Sequence, residues 1–443
     1  MNQPEALHLS NDPTTHPCRI IGVHDNGVEG ITPTALAHLQ QADLVIGVAR
    51  TLRLFESHFK TSVEARDMSG SFMKVPVWIS EAQASGKRVV VLATGDPLCH
   101  GIAAFLQSRA CIEAFEILPN LSMVQLACAR LGIPWNDLKI CSVHGKDAGE
   151  WDRESGIAHG LYPVLHAAQH HDRMAIFTSP KNSPDRLARM LVTQGLEHDF
   201  QMAVVEHIQR DSERVIADLT IEQAAKHQFA EPNMVLLWRA SIRQNDTLFG
   251  LPDSEFHQRK PDKGLITKRE IRAVSLARMQ LCRDAIVWDI GAGSGSVGLE
   301  AARLASNGYV YAIEKNEADT LIAEHNRRAL GIHNYCLVNK KAPDGLDLWP
   351  DPDAVFIGGS GGNLGGLVRL IMKRLKPSGT LVMNFVTIEN LASATTVLKE
   401  LGVPWDITQM QVSRSKPILH MHRFNAENPV WIISAQQIED KSQ

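Results

Sequence analysis

The residues best suited to chemistry fall in one run, Val287-Trp288-Asp289-Ile290-Gly291-Ala292-Gly293-Ser294-Gly295-Ser296. An apolar stretch meets an acid and then alternating glycines. Glycine admits left-handed backbone, and bare main chain at the start of a helix offers free N–H groups to a ligand. A pyrophosphate-binding turn places its third glycine one residue later, in G-x-G-x-x-G. Gly298 does not restore that spacing, so a dinucleotide is disfavoured. The next apolar run, Tyr309–Ile313, ends in Glu314, where a carboxylate can accept from both hydroxyls of a ribose. A second glycine cluster, Gly358-Gly359-Ser360-Gly361-Gly362, follows Val355–Ile357. The helix expected after it, Leu364–Leu375, would aim its N-terminus at an anionic group such as a substrate carboxylate.

These loops need strands to carry them. Apolar, β-branched runs at Ala285–Asp289, Tyr309–Ile313, Tyr335–Val338, Ala354–Ile357, Thr380–Asn384, Ile407–Val412 and Val430–Ser434 read as seven strands. The helical pattern Lys268–Leu281 leads into them. Earlier in the chain, runs at Arg19–Val23, Leu44–Val48, Arg88–Ala93, Lys139–Val143, Met174–Phe177, Met202–Glu206 and Met234–Trp238 read likewise. They alternate with helical patterns at Pro33–Gln41, Gly101–Arg109, Ser122–Leu131 and Pro184–Thr193. Such alternation predicts α/β architecture with largely parallel sheets. Ser241–Lys263 is polar and aperiodic, the texture of an interdomain connection. The expected organisation is a domain over 18–240 in two α/β lobes (about 18–118 and 119–240), a linker over 241–264, and a second domain over 265–437.

Composition narrows the partners. The 443 residues are 44% hydrophobic and 21% charged, with a net charge of -4, which excludes disorder as the main state. No basic run is present to displace counterions from phosphates, so nucleic acid is disfavoured. No apolar stretch reaches the ~18 residues of a membrane span, and Met1–Pro17 lacks the apolar core of a signal peptide; a cytoplasmic protein is expected. Seven dispersed cysteines, with no CxxC pair, fit reduced and mostly buried thiols. His170-His171 and His420-x-His422 lack carboxylate or thiol companions at ligand spacing, and no metal is expected.

An acid separated by one residue from G-x-G-x-G resembles the S-adenosylmethionine (SAM) methyltransferases of the Rossmann-like class. The asparagine/aspartate-Pro-Pro-aromatic signature of many amino-group methyltransferases is absent. More specifically, Ile266-Thr267-Lys268-Arg269-Glu270-Ile271-Arg272 after Leu265, the Asp289–Ser296 loop and Phe356–Gly362 resemble the cobalamin-pathway methyltransferases that also decarboxylate a precorrin. The N-terminal part is similar to the tetrapyrrole methylases through Ile20-Ile21-Gly22, Gly27 with Glu29-Gly30-Ile31-Thr32, Gly95-Asp96-Pro97 and Ser142-Val143-His144-Gly145-Lys146. Their order, joined by Phe249–Phe256, resembles the fused precorrin-6Y C5,15-methyltransferase (decarboxylating) family. The fold implied is a two-lobed tetrapyrrole-methylase-like domain followed by a Rossmann-like seven-stranded methyltransferase domain.

The resemblance implies two SAM sites, one per domain. Gly22, Gly95, Asp96 and Pro97 would serve the first. Thr267, Asp289, Gly291, Ala292, Gly293, Ser294, Gly295, Glu314, Ala342 and Gly358 would serve the second. It also implies a polyanionic tetrapyrrole substrate and self-association through the C-terminal domain. Cations and loop groups suited to the substrate's carboxylates are Lys146, Arg269, Ser360, Gly361, Arg414 and Lys416. Methylation requires alignment and a water-poor site, whereas decarboxylation requires a general acid, for which His422 and Glu270 are the candidates. The chain departs from the family at His24, where glycine is usual, at Asn120-Leu121, at Leu98-Cys99-His100 and at Lys340-Lys341. Two other readings stay open: a SAM methyltransferase acting on another acceptor such as RNA, and a SAM-binding protein whose N-terminal half is silent.

Overall fold

Continuous apolar strands demand burial on both faces, and β1 (Cys18–Val23) shows this directly. Cys18 and Ile20 join one core with Leu44, Ile46 and Val91, while Ile21 and Val23 join another with Val45, Val90 and Leu92. The computed structural model describes residues 16–109, 115–152, 154–240, 247–259 and 266–437. Leu265, Cys111, most of Met1–Pro17, and 241–246 and 260–264 of the expected linker lie outside the described residues. The chain forms two units, one of residues 1–147, 171–188 and 200–239, the other of 148–170, 189–199 and 240–443.

In the first unit, β1, β2 (Leu44–Gly47), β3 (Glu64–Asp67), β4 (Val89–Thr94) and β5 (Phe115–Leu118) form a parallel sheet in the order β3-β2-β4-β1-β5. A second sheet holds β6 (Lys139–Ser142), β7 (Arg173–Phe177), β8 (Phe200–Glu206), β9 (Arg214–Thr220) and β10 (Asn233–Arg239), in the order β6-β7-β10-β8-β9. Only β6 and β7 pair in parallel there; β7–β10, β10–β8 and β8–β9 are antiparallel. This corrects the expectation of largely parallel pairing throughout. The connections explain it: β8 to β9 is a short turn and β9 to β10 carries a single helical turn, Ile221–Ala224, too little for a parallel crossover.

In the second unit, β11 (Ile286–Ile290), β12 (Tyr309–Ile313), β13 (Tyr335–Val338), β14 (Ala354–Ile357), β15 (Thr380–Phe385), β16 (Trp405–Met410) and a last strand, β19 (Val430–Gln436), form one sheet. Its order is β13-β12-β11-β14-β15-β19-β16, with β19 antiparallel to both neighbours. Between β16 and β19 stands a hairpin, β17 (Ser413–Ile418) and β18 (Met421–Ala426). Strand order reverses at β11 and β14, and a crevice outside the carboxyl ends of strands at such a reversal is where ligands bind in open α/β sheets. Among the described residues no helix is long and apolar enough to cross a membrane.

The second unit also takes in two earlier segments. Tyr162, on the helix Tyr162–His170, packs edge-on against Tyr309 with ring centroids 5.5 Å apart, and its hydroxyl donates to the Gly308 carbonyl at 3.4 Å. The Tyr309 hydroxyl donates to the Ser155 carbonyl at 3.1 Å, and Arg327 donates to the Gln194 side chain at 2.8 Å. The described part of the expected linker, residues 247–259, is likewise not a plain connection. Leu251 and Phe256 belong to the second unit's core, so the segment around them is part of that unit.

Candidate active sites

In the second unit the glycine loop leaves β11 and enters the helix Ser296–Leu304. Gly291, Gly293 and Gly295 have φ of 72°, 56° and 77°, in the region that favours glycine. Gly291 is doubly constrained, since a Cβ there would stand 2.5 Å from the Gly359 carbonyl oxygen. The two glycine loops therefore meet backbone to backbone, and Gly358 N donates to the Ile290 carbonyl at 3.0 Å. Asp289 is 1% exposed. Its Oδ2 accepts from Gly298 N at 3.1 Å, whereas Oδ1 has no partner. Burial pushes its carboxyl up to about 7, and the Glu314 charge adds to this. Gly298 is a packing position: a Cβ would lie 2.4 Å from Asp289 Oδ2 and 2.8 Å from the Tyr335 ring.

Glu314 stands at the end of β12, buried, with one carboxylate oxygen accepting from Gly293 N at 3.0 Å and the other from Asn316 N at 2.9 Å. It thus ties the tip of the glycine loop to the next helix. The orphaned Asp289 Oδ1, the unpartnered Ser294 hydroxyl and the glycine backbone fit a cationic, phosphate-free cofactor. An acceptor with nothing to accept from is what an ammonium ligand would satisfy. Thr267 and Ala342 are half-buried; the Thr267 carbonyl accepts from Arg272 at 2.7 Å.

In the first unit Gly22, Gly95 and Asn120 meet at the carboxyl ends of β1, β4 and β5. A Cβ on Gly22 would lie 2.2 Å from the Gly95 carbonyl oxygen and 2.7 Å from Asn120 N. Asp96 accepts from Leu98 N at 2.9 Å, and the Pro97 carbonyl from Ala103 N at 3.2 Å, which shapes the loop into the helix Ile102–Gln107. Two of the departures have structural roles. Asn120 Nδ2 donates to the carbonyls of Gly22 at 3.1 Å and Gly30 at 2.6 Å, and the His100 ring packs on Phe177, 5.5 Å between centroids.

The substrate candidates divide. Lys146, Arg269 and Lys416 are exposed, Ser360 and Gly361 half-buried, and Lys341 lies beside Gly361, its Cε 3.3 Å from where a Cβ would be. Arg414 is engaged within the protein: it donates to Asp253 at 2.9 Å and closely to Glu270. Burial raises the Glu270 carboxyl, but the Arg414 hydrogen bond, a backbone hydrogen bond and the Arg414 charge together hold it below the usual range. A proton donor at neutral pH needs the opposite shift, so the geometry does not favour Glu270 as that donor. His422 is exposed on the hairpin. Among the described residues no three His, Cys, Asp or Glu side chains converge as a metal cage would require.

Sequence reasoning missed the residues that support these loops. Arg272 is fully buried and donates to Glu300 at 2.9 Å and to Asp253 at 3.2 Å. Glu300 in turn accepts from Gly250 N at 2.7 Å and Leu251 N at 2.9 Å. Asn326 Nδ2 donates to the carbonyls of Ser294 at 2.8 Å and His257 at 2.9 Å. The available signal for Arg272 was its phase, on the same helical face as Leu276 and Met279.

Residues 259–437 match the family model described as a precorrin methyltransferase domain, and 19–225 match tetrapyrrole (corrin/porphyrin) methylases. A cobalt-precorrin-6B C(15)-methyltransferase (decarboxylating) of Salmonella typhimurium is 38% identical over 40% of this chain and 91% of its own length. The chain belongs to the precorrin-6Y C5,15-methyltransferase (decarboxylating) family. A Sinorhizobium precorrin-6Y C(5,15)-methyltransferase [decarboxylating] is 29% identical over 93% of this chain and 94% of its own length. A crystal structure of precorrin-6y C5,15-methyltransferase from Geobacter metallireducens is 40% identical, covers 43% of this chain and 100% of that chain, and superposes with a TM-score of 0.41. Family membership makes the chain a SAM-dependent methyltransferase of cobalamin biosynthesis.

Proposed function

We propose that the chain methylates one precorrin at C5 and C15, with SAM bound once in each unit, and removes carbon dioxide from the ring C acetate at the second. The observation that carries this is the pairing of an orphaned, buried Asp289 acceptor with a glycine loop closed by Glu314, in a chain that also matches the tetrapyrrole methylases.

SAM supplies an electrophilic methyl group on a sulfonium, and the chain supplies alignment and exclusion of water. Gly291 to Gly295 let the cofactor lie against main chain, Asp289 faces its cationic end, and Glu314 holds the ribose. Thr267, Ala342 and Gly358 border the same crevice, and Gly22, Gly95, Asp96 and Pro97 frame the other site. Ser360, Gly361, Lys341, Arg269 and Lys416 receive substrate carboxylates in the second unit, and Lys146 does so in the first. Decarboxylation releases carbon dioxide and leaves a carbanion equivalent that takes up one proton, for which His422 is the remaining candidate.

Self-association through the second unit belongs to the same reading. The hairpin exposes Ile418, Leu419, Met421 and Phe424, at 42%, 90%, 56% and 81%, an apolar tip suited to a second copy. The primary test is mass spectrometry of the product formed by the full chain from SAM and a precorrin-6B-type substrate. Two added methyl groups with loss of one carbon dioxide are expected. One methyl group would mean that one unit is silent, and no change of mass would overturn the reading.

A further inference from the structure

We propose that the first unit contains a carboxylate-binding pocket built from Arg50 and Arg210 around Asp25. His24 directly follows β1 and is 5% exposed. The neighbouring Asp25 carboxylate is gripped by two guanidinium groups: Arg50 Nη2 at 3.1 Å on one oxygen and Arg210 Nε at 2.5 Å on the other. Arg50 comes from the helix Ala49–Phe55 after β2, and Arg210 from the turn between β8 and β9. The two sheets of this unit thus each contribute one cation to a single acid.

That grip does not use up the donors. Arg50 Nε and Arg210 Nη2 are buried with no acceptor, a costly state for a charged donor. A purely structural clamp would turn such groups toward protein carbonyls or carboxylates. Here two cations share one anion, which leaves surplus positive charge. The ligand chemistry that fits is a carboxylate, which matches a planar fork bidentately.

The pocket rests on the reading that this chain binds SAM and a tetrapyrrole, because both carry carboxylates. The two sources are separable. In the full chain carrying Gly291→Ala, which removes the second unit's site, titration calorimetry with SAM reads the first site alone, and fluorescence quenching by uroporphyrin reads a polycarboxylated tetrapyrrole without turnover. If the pocket holds the methionine carboxylate of SAM, Arg50→Gln and Arg210→Gln weaken SAM at least tenfold and leave uroporphyrin unchanged. If it holds a tetrapyrrole side chain, uroporphyrin weakens at least tenfold, KM for precorrin rises with kcat little changed, and SAM is unaffected. Arg210→Lys, which keeps the charge but not the fork, falls between, and it replaces Arg210→Gln if that variant does not fold. Parent-like binding of both probes by folded variants overturns the pocket, as does a parent that binds neither. A parent that binds a probe but adds no methyl group overturns the functional reading and leaves the pocket standing.

Discussion

At Asp289 a carboxyl without solvent contact carries an acceptor that nothing in the described protein satisfies. Its pKa is about 7 in the folded chain against 3.8 for an ordinary aspartate. Between those values the folded chain holds a proton that the unfolded chain releases, so this residue's contribution to stability falls as pH rises from about 4 to about 7. The effect is at most about 4 kcal/mol. Without SAM, Asp289→Asn should therefore gain thermal stability relative to the parent as pH is raised from 5 to 7.5, which differential scanning calorimetry would show. Bound SAM reverses the sign of the argument. Its positive end favours the ionised acid, so affinity at the second site should climb from pH 6 to pH 8 in calorimetric titrations, and Asp289→Asn should flatten that climb. Gly291→Ala acts by another route. It places a methyl group against Gly359 in a left-handed backbone, and should abolish SAM binding at that site, leaving one equivalent bound per chain.

At the level of elements, the buried Arg272 joins the helix Arg269–Met279 to Glu300 on the following helix and to Asp253 on the segment before it. Removing one member of a buried ion pair leaves an uncompensated charge, typically at a cost of about 3–5 kcal/mol. Arg272→Met should lower the urea midpoint accordingly and loosen the Gly250–Phe256 segment, a change visible in amide hydrogen exchange. What was legible from sequence follows the same logic of burial. β11, β12 and β14 announce themselves because both faces are covered and their glycines have no other use. β3, written Glu-Ala-Arg-Asp, and β9, exposed along most of its length, are edge strands whose side chains meet water, so no apolar run marks them. The β17–β18 hairpin packs too little surface to impose a pattern. Leu251 and Phe256 were hidden for the opposite reason, as two apolar residues in a polar stretch that enter a core assembled from distant strands. Asn120 was visible as a departure from the family, but its bonds to the Gly22 and Gly30 carbonyls depend on partners about 90 or more residues away.

For the whole molecule, the expected stoichiometry is two SAM per chain, and the expected assembly is a symmetrical oligomer. Leu419→Ser together with Phe424→Ser should reduce the sedimenting mass in analytical ultracentrifugation and leave SAM binding at the first unit intact. The division of the chain has a different kind of consequence. The backbone passes between the two units at residues 147/148, 170/171, 188/189, 199/200 and 239/240, so neither unit is a continuous length of polypeptide. A cut near residue 240 would not release two finished pieces. The later fragment would lack the segments bearing Ser155, Tyr162 and Gln194, and Tyr309 and Arg327 would lose partners they hold here. Melting should accordingly be shared rather than sequential, because releasing 148–170 from one unit pulls on both of its ends in the other. To a protease or a rising temperature, this enzyme is stitched rather than strung.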